Sequence, residues 1–142
     1  AAMETRPYSR AELRTVSSGT LAAVQDFEVL IEGVGSVRWP GLTDVRDLVD
    51  VLDELVVIAE RSVEVYPEGT RKPARGHELN KPALVTLESV HLPRKLAAAN
   101  DDKVAAQFEE KLRRKLADSG ADAEHVSWSR HTGRWVFRVQ HF

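Results

Sequence analysis

The stretch RWVFRVQHF, Arg134 to Phe142, carries a histidine at the end of the most apolar strand-like run in the chain. Side chains of a strand point alternately to its two faces. Trp135, Phe137 and Val139 therefore share a face with His141, and Val136, Arg138, Gln140 and Phe142 share the other. Three large apolar residues make the first face the core side. His141 then sits at the edge of the core, partly desolvated, where its surroundings tune its affinity for a proton. Two roles fit that position: a general acid–base group, or a side chain that ties a loop to the strand end by a hydrogen bond. By the same alternation, position 143 falls on the face of His141. A hydroxyl there stands beside the imidazole, as a nucleophile stands beside its base.

Other reactive residue types are scattered more loosely. His125 and His131 bracket a turn, but no third or fourth ligand lies at a spacing that suits a metal, so no metal site is expected. Serines, histidines and aspartates are plentiful, and no G-x-S-x-G elbow singles out a triad. RKPAR (71–75), PRK (93–95) and KLRRK (111–115) are small basic clusters. The last is interleaved with apolar positions, so its charges read as the solvated face of a helix. The loop clusters suit an acidic partner or weak contact with RNA, without an aromatic platform beside them for stacking. The glycines of GVGS punctuate a hairpin, because no helix follows to receive a phosphate.

The elements that position these residues follow from periodicity. Ser9 and Glu12 have capping-box spacing, which predicts a short helix from Arg10 to about Val16, broken by SSGT. VQDFEVLIEGVGSVRW reads as a hairpin in which Phe27, Val29 and Ile31 alternate with Glu28 and Glu32. Gly33 and Gly35 supply its turn, and Pro40 and Gly41 end its second arm. TDVRDLVDVLDELVVIAERSVEVYP is expected to run as loop or helical turns to about Asp53, then as two strands around Arg61 and Ser62. PEGTRKPARG is a loop, KPALVTLESV a strand, and HLPRKLAAANDDK a loop with a basic tip. Val104, Phe108, Leu112 and Leu116 form one stripe of a helix over about 101–119, with Asn100 as N-cap candidate and Gly120 after its end. EHVSWS, the turn RHTG and RWVFRVQHF close a last hairpin. The expected architecture is α+β: a mostly antiparallel β-sheet, half-open barrel or sandwich-like, flanked by a few helices.

Bulk properties bound the function. The 142 residues fit one domain, 1–142, with residues 1–7 expected to be flexible or, for Ala1 and Ala2 before Met3, left over from cloning. With 42% hydrophobic and 30% charged residues, the chain has the make-up of a soluble globular protein. A net charge of −2 provides no global field toward nucleic acid or membrane. The absence of cysteine excludes disulfides and thiolate metal sites and suits a reducing compartment. No apolar run approaches the roughly 20 residues that span a bilayer, AAMETRP is no signal peptide, and no internal repeat occurs.

EGVGS, PG, VEVYP, LNKPALVTLESV and TGRWVFRVQHF follow one another in this order. In them the chain resembles the nucleoporin autopeptidase domain, the self-cleaving C-terminal domain of GLFG-repeat nucleoporins, from about Tyr8 to Phe142. Two motifs carry the resemblance. One is Gly76, Leu79, Asn80, Pro82, Ala83, Val85, Thr86, Leu87, Glu88 and Val90; the other is Gly133, Trp135, Phe137, Val139, His141 and Phe142. The family's cleavage motif is His-Phe-Ser, cut between Phe and Ser. The resemblance therefore implies that His141 is catalytic, that the carbonyl of Phe142 is attacked, and that the next residue is the serine nucleophile. On that reading the chain as given is the product of the cut. It also implies that Asn80 and Lys95 help to stabilise the oxyanion, that no cofactor is used, and that the domain resides in the nuclear pore complex of the nucleus. The implied partners are a β-propeller nucleoporin of the cytoplasmic export platform and the N-terminal segment of the released scaffold nucleoporin. The role is anchoring in support of nucleocytoplasmic transport and mRNA export. A purely structural or weakly RNA-binding module is the other reading. The chain departs from the family pattern at His91-Leu92-Pro93, where Trp-Pro is frequent, and in a shorter loop before the long helix than vertebrate members have.

Overall fold

Alternation and turn glycines build the centre of the molecule. In the computed structural model, which describes residues 2–120 and 122–142, β2 (Val24–Ile31) and β3 (Gly35–Thr43) form the longest hairpin. Its register pairs Phe27 with Trp39 and Val29 with Val37, all four fully buried. The second arm does not stop at Pro40–Gly41 as expected. Asp26 takes a left-handed conformation (φ 51°) at a register shift between Gln25 and Phe27, and its Oδ1 accepts from the Gly41 N–H at 2.9 Å. A bulge absorbs the break, so β3 bends and continues to Thr43.

Pairing then spreads outward. β1 (Glu4–Arg6), β2, β3, β6 (Ala83–Leu87), β8 (Trp135–Val139) and β7 (Ala123–Trp128) form one open six-stranded sheet, antiparallel throughout, in the order β1-β2-β3-β6-β8-β7. It is not closed into a barrel. Residues 4–6, expected within a flexible leader, instead pair with Glu28–Leu30 of β2; Ala1 lies outside the described residues. A row of side chains crosses the sheet from Val29 through Val37, Val85 and Phe137 to His125. One face thus collects the apolar residues of five strands.

That face is covered by two elements. One is the separate hairpin β4 (Val56–Ala59) and β5 (Ser62–Val65), entered through the single helical turn α3 (Leu52–Leu55). The other is α5 (Asp102–Asp118), whose Leu112 and Leu116 are buried while Phe108 packs on Trp128 at 5.0 Å between ring centroids. The N-cap of α5 is Asp101, not Asn100. Asn100 is the left-handed C-cap (φ 46°) of a helix not expected, α4 (Arg94–Ala99). Pro93 starts that helix and three alanines sustain it, so PRKLAAAN is helical where its charges suggested a loop. Near the N-terminus α1 (Arg10–Leu13) has the complete Ser9/Glu12 capping box but is shorter than expected, and SSGT forms the turn α2 (Ser18–Leu21) capped by Ser17. No helix among the described residues is long and apolar enough to cross a membrane.

Two glycines are required by close approach. A Cβ on Gly133 (φ 76°) would stand 2.5 Å from the His91 ring; a Cβ on Gly35 would meet the Thr86 carbonyl at 2.8 Å. Gly133 also ties the β7–β8 turn to the end of β6, since its carbonyl accepts from the Val90 N–H at 2.8 Å. The Trp128 indole donates to the Val90 carbonyl at 2.8 Å from the other side.

Candidate functional site

β8 delivers His141 and Phe142 from an interior position of the sheet, between β6 and β7. Its ladder ends at Val139, opposite Ala83 and Ala123. The chain bends at Gln140, so the period of two does not extend to the end. Phe142, expected on the face opposite His141, instead packs toward the core with its ring 6.1 Å from that of Trp39. Both His141 and Phe142 are largely but not fully buried and line one cleft with Val139.

Phe142 is held by its backbone as well as its ring. Its N–H donates to Oδ1 of Asn80 at 2.8 Å. Asn80 is itself fixed at every other polar group: Nδ2 donates to the Pro73 carbonyl (2.9 Å), its N–H to the His77 carbonyl (2.9 Å), and its carbonyl accepts from Gly76 (2.6 Å). The preceding residue, Leu79, is fully buried, and both its backbone polar groups are satisfied by aromatic side chains. The Trp39 indole donates to its carbonyl at 2.9 Å, and the Tyr66 hydroxyl accepts its N–H at 3.0 Å. A buried backbone group without a partner is costly, so these two bonds lock the loop that presents Asn80. Burial pushes the Tyr66 phenol up to about 12. Lys81, next in the chain, donates from Nζ to the Leu42 carbonyl, and burial pulls its ammonium below the ordinary lysine range.

His141 is oriented from the other side. Its Nε2 lies 3.1 Å from Oδ2 of Asp122, in the connection between α5 and β7. The imidazole is 14% exposed and the carboxylate 67%. Among the described residues Nδ1 of His141 has no hydrogen-bond partner.

The cleft beside these residues has a volume of about 440 Å³. It lies between the β4–β5 hairpin, α5 and the sheet face, with Val63, Val65, Leu87 and Phe137 in its walls and Arg61 and Lys115 at its rim. Lys95 is exposed on α4 and is not among the residues that line it. Of the four site residues expected from the sequence, three therefore meet: His141, Phe142 and Asn80. Asn80 offers its oxygen to the N–H of Phe142, a different contact from the expected donation to an oxyanion.

The remaining candidates are taken up elsewhere. Nε2 of His125 lies 2.7 Å from Oε2 of Glu109, and its Nδ1 accepts from the Trp135 indole at 3.1 Å; His131 is exposed in the β7–β8 turn. Arg113 and Arg114 of KLRRK pair with Glu109 and Glu110 along α5, as a solvated helix face does. Sequence reasoning misses Asp122, Trp39 and Tyr66 as parts of the site. VEVYP contains Tyr66, but its left-handed backbone (φ 57°), which turns the phenol toward Leu79, has no signal in residue type.

A family model described as Nup98-96 autopeptidase S59 matches residues 4–142. The chain belongs to this autopeptidase family. Over 133 residues it is 37% identical to the Nup98-Nup96 protein of Dictyostelium discoideum, which covers 92% of this chain but 6% of that protein. It is 37% identical over 146 residues to NUP98A of Arabidopsis thaliana, covering 98% of this chain and 13% of that protein. The chain thus spans a small part of the length of these curated relatives, which are nuclear pore complex proteins. Among solved structures, a Chaetomium thermophilum Nup145N APD mutant fused to Nup145C N superposes with a TM-score of 0.83 at 28% identity, over 99% of this chain and 94% of that one. The C-terminal domain of NUP116 from Candida glabrata shares the fold, with a TM-score of 0.81 at 20% identity, over 99% and 90% of the two chains. Family membership makes the chain a nucleoporin domain of the nuclear pore complex.

Proposed function

We propose that this domain cleaves its own precursor at the peptide bond after Phe142, and then serves as a docking module of the nuclear pore. The observation that carries the reading is the double hold on Phe142, by Asn80 at its N–H and by Trp39 at its ring, with His141 immediately before it. These two contacts fix the nitrogen and the ring of the residue whose carbonyl is attacked in this reading. The reaction proposed is that of a serine-type autopeptidase. The hydroxyl of the following residue attacks the Phe142 carbonyl carbon and its proton passes to Nδ1 of His141. The imidazole returns the proton to the departing amide nitrogen, leaving an ester in place of the amide. Water then hydrolyses the ester, giving the Phe142 carboxylate and restoring the hydroxyl. Holding hydroxyl, carbonyl and imidazole in one geometry is worth up to ~7–11 kcal/mol of the barrier. The groups that enter these steps are the hydroxyl of the residue after Phe142, the Phe142 carbonyl, the His141 imidazole and water.

After cleavage the reaction cannot repeat on the same bond, whereas the fold persists. The lasting role we infer is anchoring, with two partners: a β-propeller nucleoporin, and the N-terminal segment of the scaffold nucleoporin released by the cut. The first partner is what the family resemblance implies; a chain of the yeast heterotrimeric Nup82-Nup159-Nup116 nucleoporin complex shares this fold at 18% identity. The apolar cleft that borders Phe142 supports the second, as it lies where a segment leaving the cut bond starts.

The test is a precursor carrying the native residues that follow Phe142. Folded, it yields two fragments on a denaturing gel, the first ending at Phe142 by mass spectrometry. A folded precursor that stays whole overturns the autopeptidase reading. Calorimetric titration of the cleaved domain with the propeller nucleoporin is expected to give saturable heat at micromolar concentration. Absence of heat there overturns the docking role.

A further inference from the structure

We propose that Asp122 is a positioning residue for His141, fixing the imidazole with its proton on Nε2 and its lone pair on Nδ1. The inference rests on the reading of His141 as the acid–base group. It starts from the register of the last hairpin. Ala123 pairs with Val139, so the next step outward carries Asp122 alongside the Gln140–His141 bend. Asp122 enters β7 in a left-handed conformation (φ 43°), which aspartate tolerates better than most residues. Its Oδ2 comes to 3.1 Å from Nε2 of His141.

The chemistry of the pair decides the tautomer. An ionised carboxylate only accepts, so the ring nitrogen facing it donates. The neutral imidazole then carries its proton on Nε2, and Nδ1 presents the lone pair. When Nδ1 takes a proton during the reaction, the imidazolium faces a carboxylate that stabilises it. This is how the third member of a nucleophile–base–carboxylate set acts: it touches no reacting atom and sets the ring's orientation and tautomer. A bland alternative is a surface ion pair with no role. The burial argues against that reading, because the imidazole is 14% exposed and has no other partner for Nε2 among the described residues. The carboxylate, 67% exposed, carries little of the fold's stability, as exposed pairs do. Removing it therefore leaves the fold intact and isolates its effect on the ring.

Two measurements test this. The first is long-range proton–nitrogen correlation NMR on the 142-residue chain with labelled histidine. The neutral His141 ring is expected as the Nε2–H tautomer alone, and Asp122→Asn is expected to bring in the Nδ1–H form. The second is the self-cleavage rate of the precursor. Asp122→Asn is expected to slow it, by less than the roughly hundredfold to ten-thousandfold worth of the acid–base group itself, while the thermal midpoint stays at the wild-type value. Asp122→Gly, which suits the same backbone, gives the same slowing. Wild-type rate in both variants overturns the positioning role, whatever the tautomer. An unchanged single tautomer in Asp122→Asn overturns it as well. His141→Ala separates the two levels. If that precursor is cut at the wild-type rate, the reading of His141 fails and the positioning role goes with it. If His141→Ala is uncut and the Asp122 variants are unaffected, only the positioning role fails.

Discussion

Two histidines of this domain face a carboxylate, and they differ in how many ring nitrogens remain. His125, in β7, has both engaged. Its Nε2 is 2.7 Å from Glu109 of α5, its Nδ1 accepts from the Trp135 indole, and its side chain is 6% exposed. The ring joins the helix to the last hairpin and has no lone pair left with which to take a proton. His141 has a carboxylate on one nitrogen only, and its ring borders an open cleft. The same residue pair is thus a structural pin at one site and a candidate proton carrier at the other. The count of free ring nitrogens, with access to a cleft, separates the roles better than burial does, since both imidazoles are largely buried.

The largest expected effect follows from that contrast. His141→Ala in the precursor should lower the self-cleavage rate by about a hundredfold to ten-thousandfold, the usual worth of a general acid–base group, with the unfolding midpoint in urea little changed. His125→Ala should do the reverse. It leaves the Trp135 N–H without its acceptor, while Glu109 keeps Arg113, at a cost of about 1–3 kcal/mol in urea unfolding, and cleavage of the folded fraction proceeds at the wild-type rate. If His125→Ala slows cleavage as much as His141→Ala, the distinction collapses. Asn80→Ala lies between the two. It frees the N–H of Phe142 and the Pro73 carbonyl, so about 1–3 kcal/mol of stability and part of the cleavage rate are expected to go together. Retention of the full rate would remove Asn80 from the hold on Phe142.

Much of this arrangement is legible in residue type. Trp135, Phe137 and Val139 announce an interior strand, and the stripe from Val104 to Leu116 announces α5, because apolar period is set by the face an element buries. Elements that exist through tertiary contact are not legible. β1 is three residues long and is defined by its pairing to β2. β3 outlasts Pro40–Gly41 because a carboxylate 15 residues earlier, on Asp26, caps the Gly41 N–H. The site divides the same way. His141 and Phe142 are visible from the strand that carries them. Asn80 enters through the family resemblance, and its contact with the Phe142 N–H depends on a loop closed by Trp39 and Tyr66. Asp122 is one aspartate among many in a short turn; only the register of β7 against β8 brings it to His141. Lys95 stands on a helix that its charges did not announce, and it is not among the residues that line the cleft.

The smallest effect separates the loop that presents Asn80 from the region around His125 by pH. Burial holds the Tyr66 phenol at about 12 against an ordinary value of 10.0. Between these values the folded state keeps a proton that the unfolded chain gives up, so stability falls as the pH rises from about 10 to about 12. At neutral pH both states are protonated and the group contributes no slope. With Tyr66 largely buried, the loss across the window should be about 1–2 kcal/mol. Tyr66→Phe removes the ionisable group and also the acceptor for the Leu79 N–H. It should start about 1 kcal/mol lower at neutral pH and then decline less steeply through the window. Tyr8, the other tyrosine, serves as the control, and Tyr8→Phe should leave the slope in place. A Tyr66→Phe domain as steep as the wild type between pH 10 and 12 would mean that the alkaline loss arises elsewhere, and that the loop under Asn80 is not locked by this phenol.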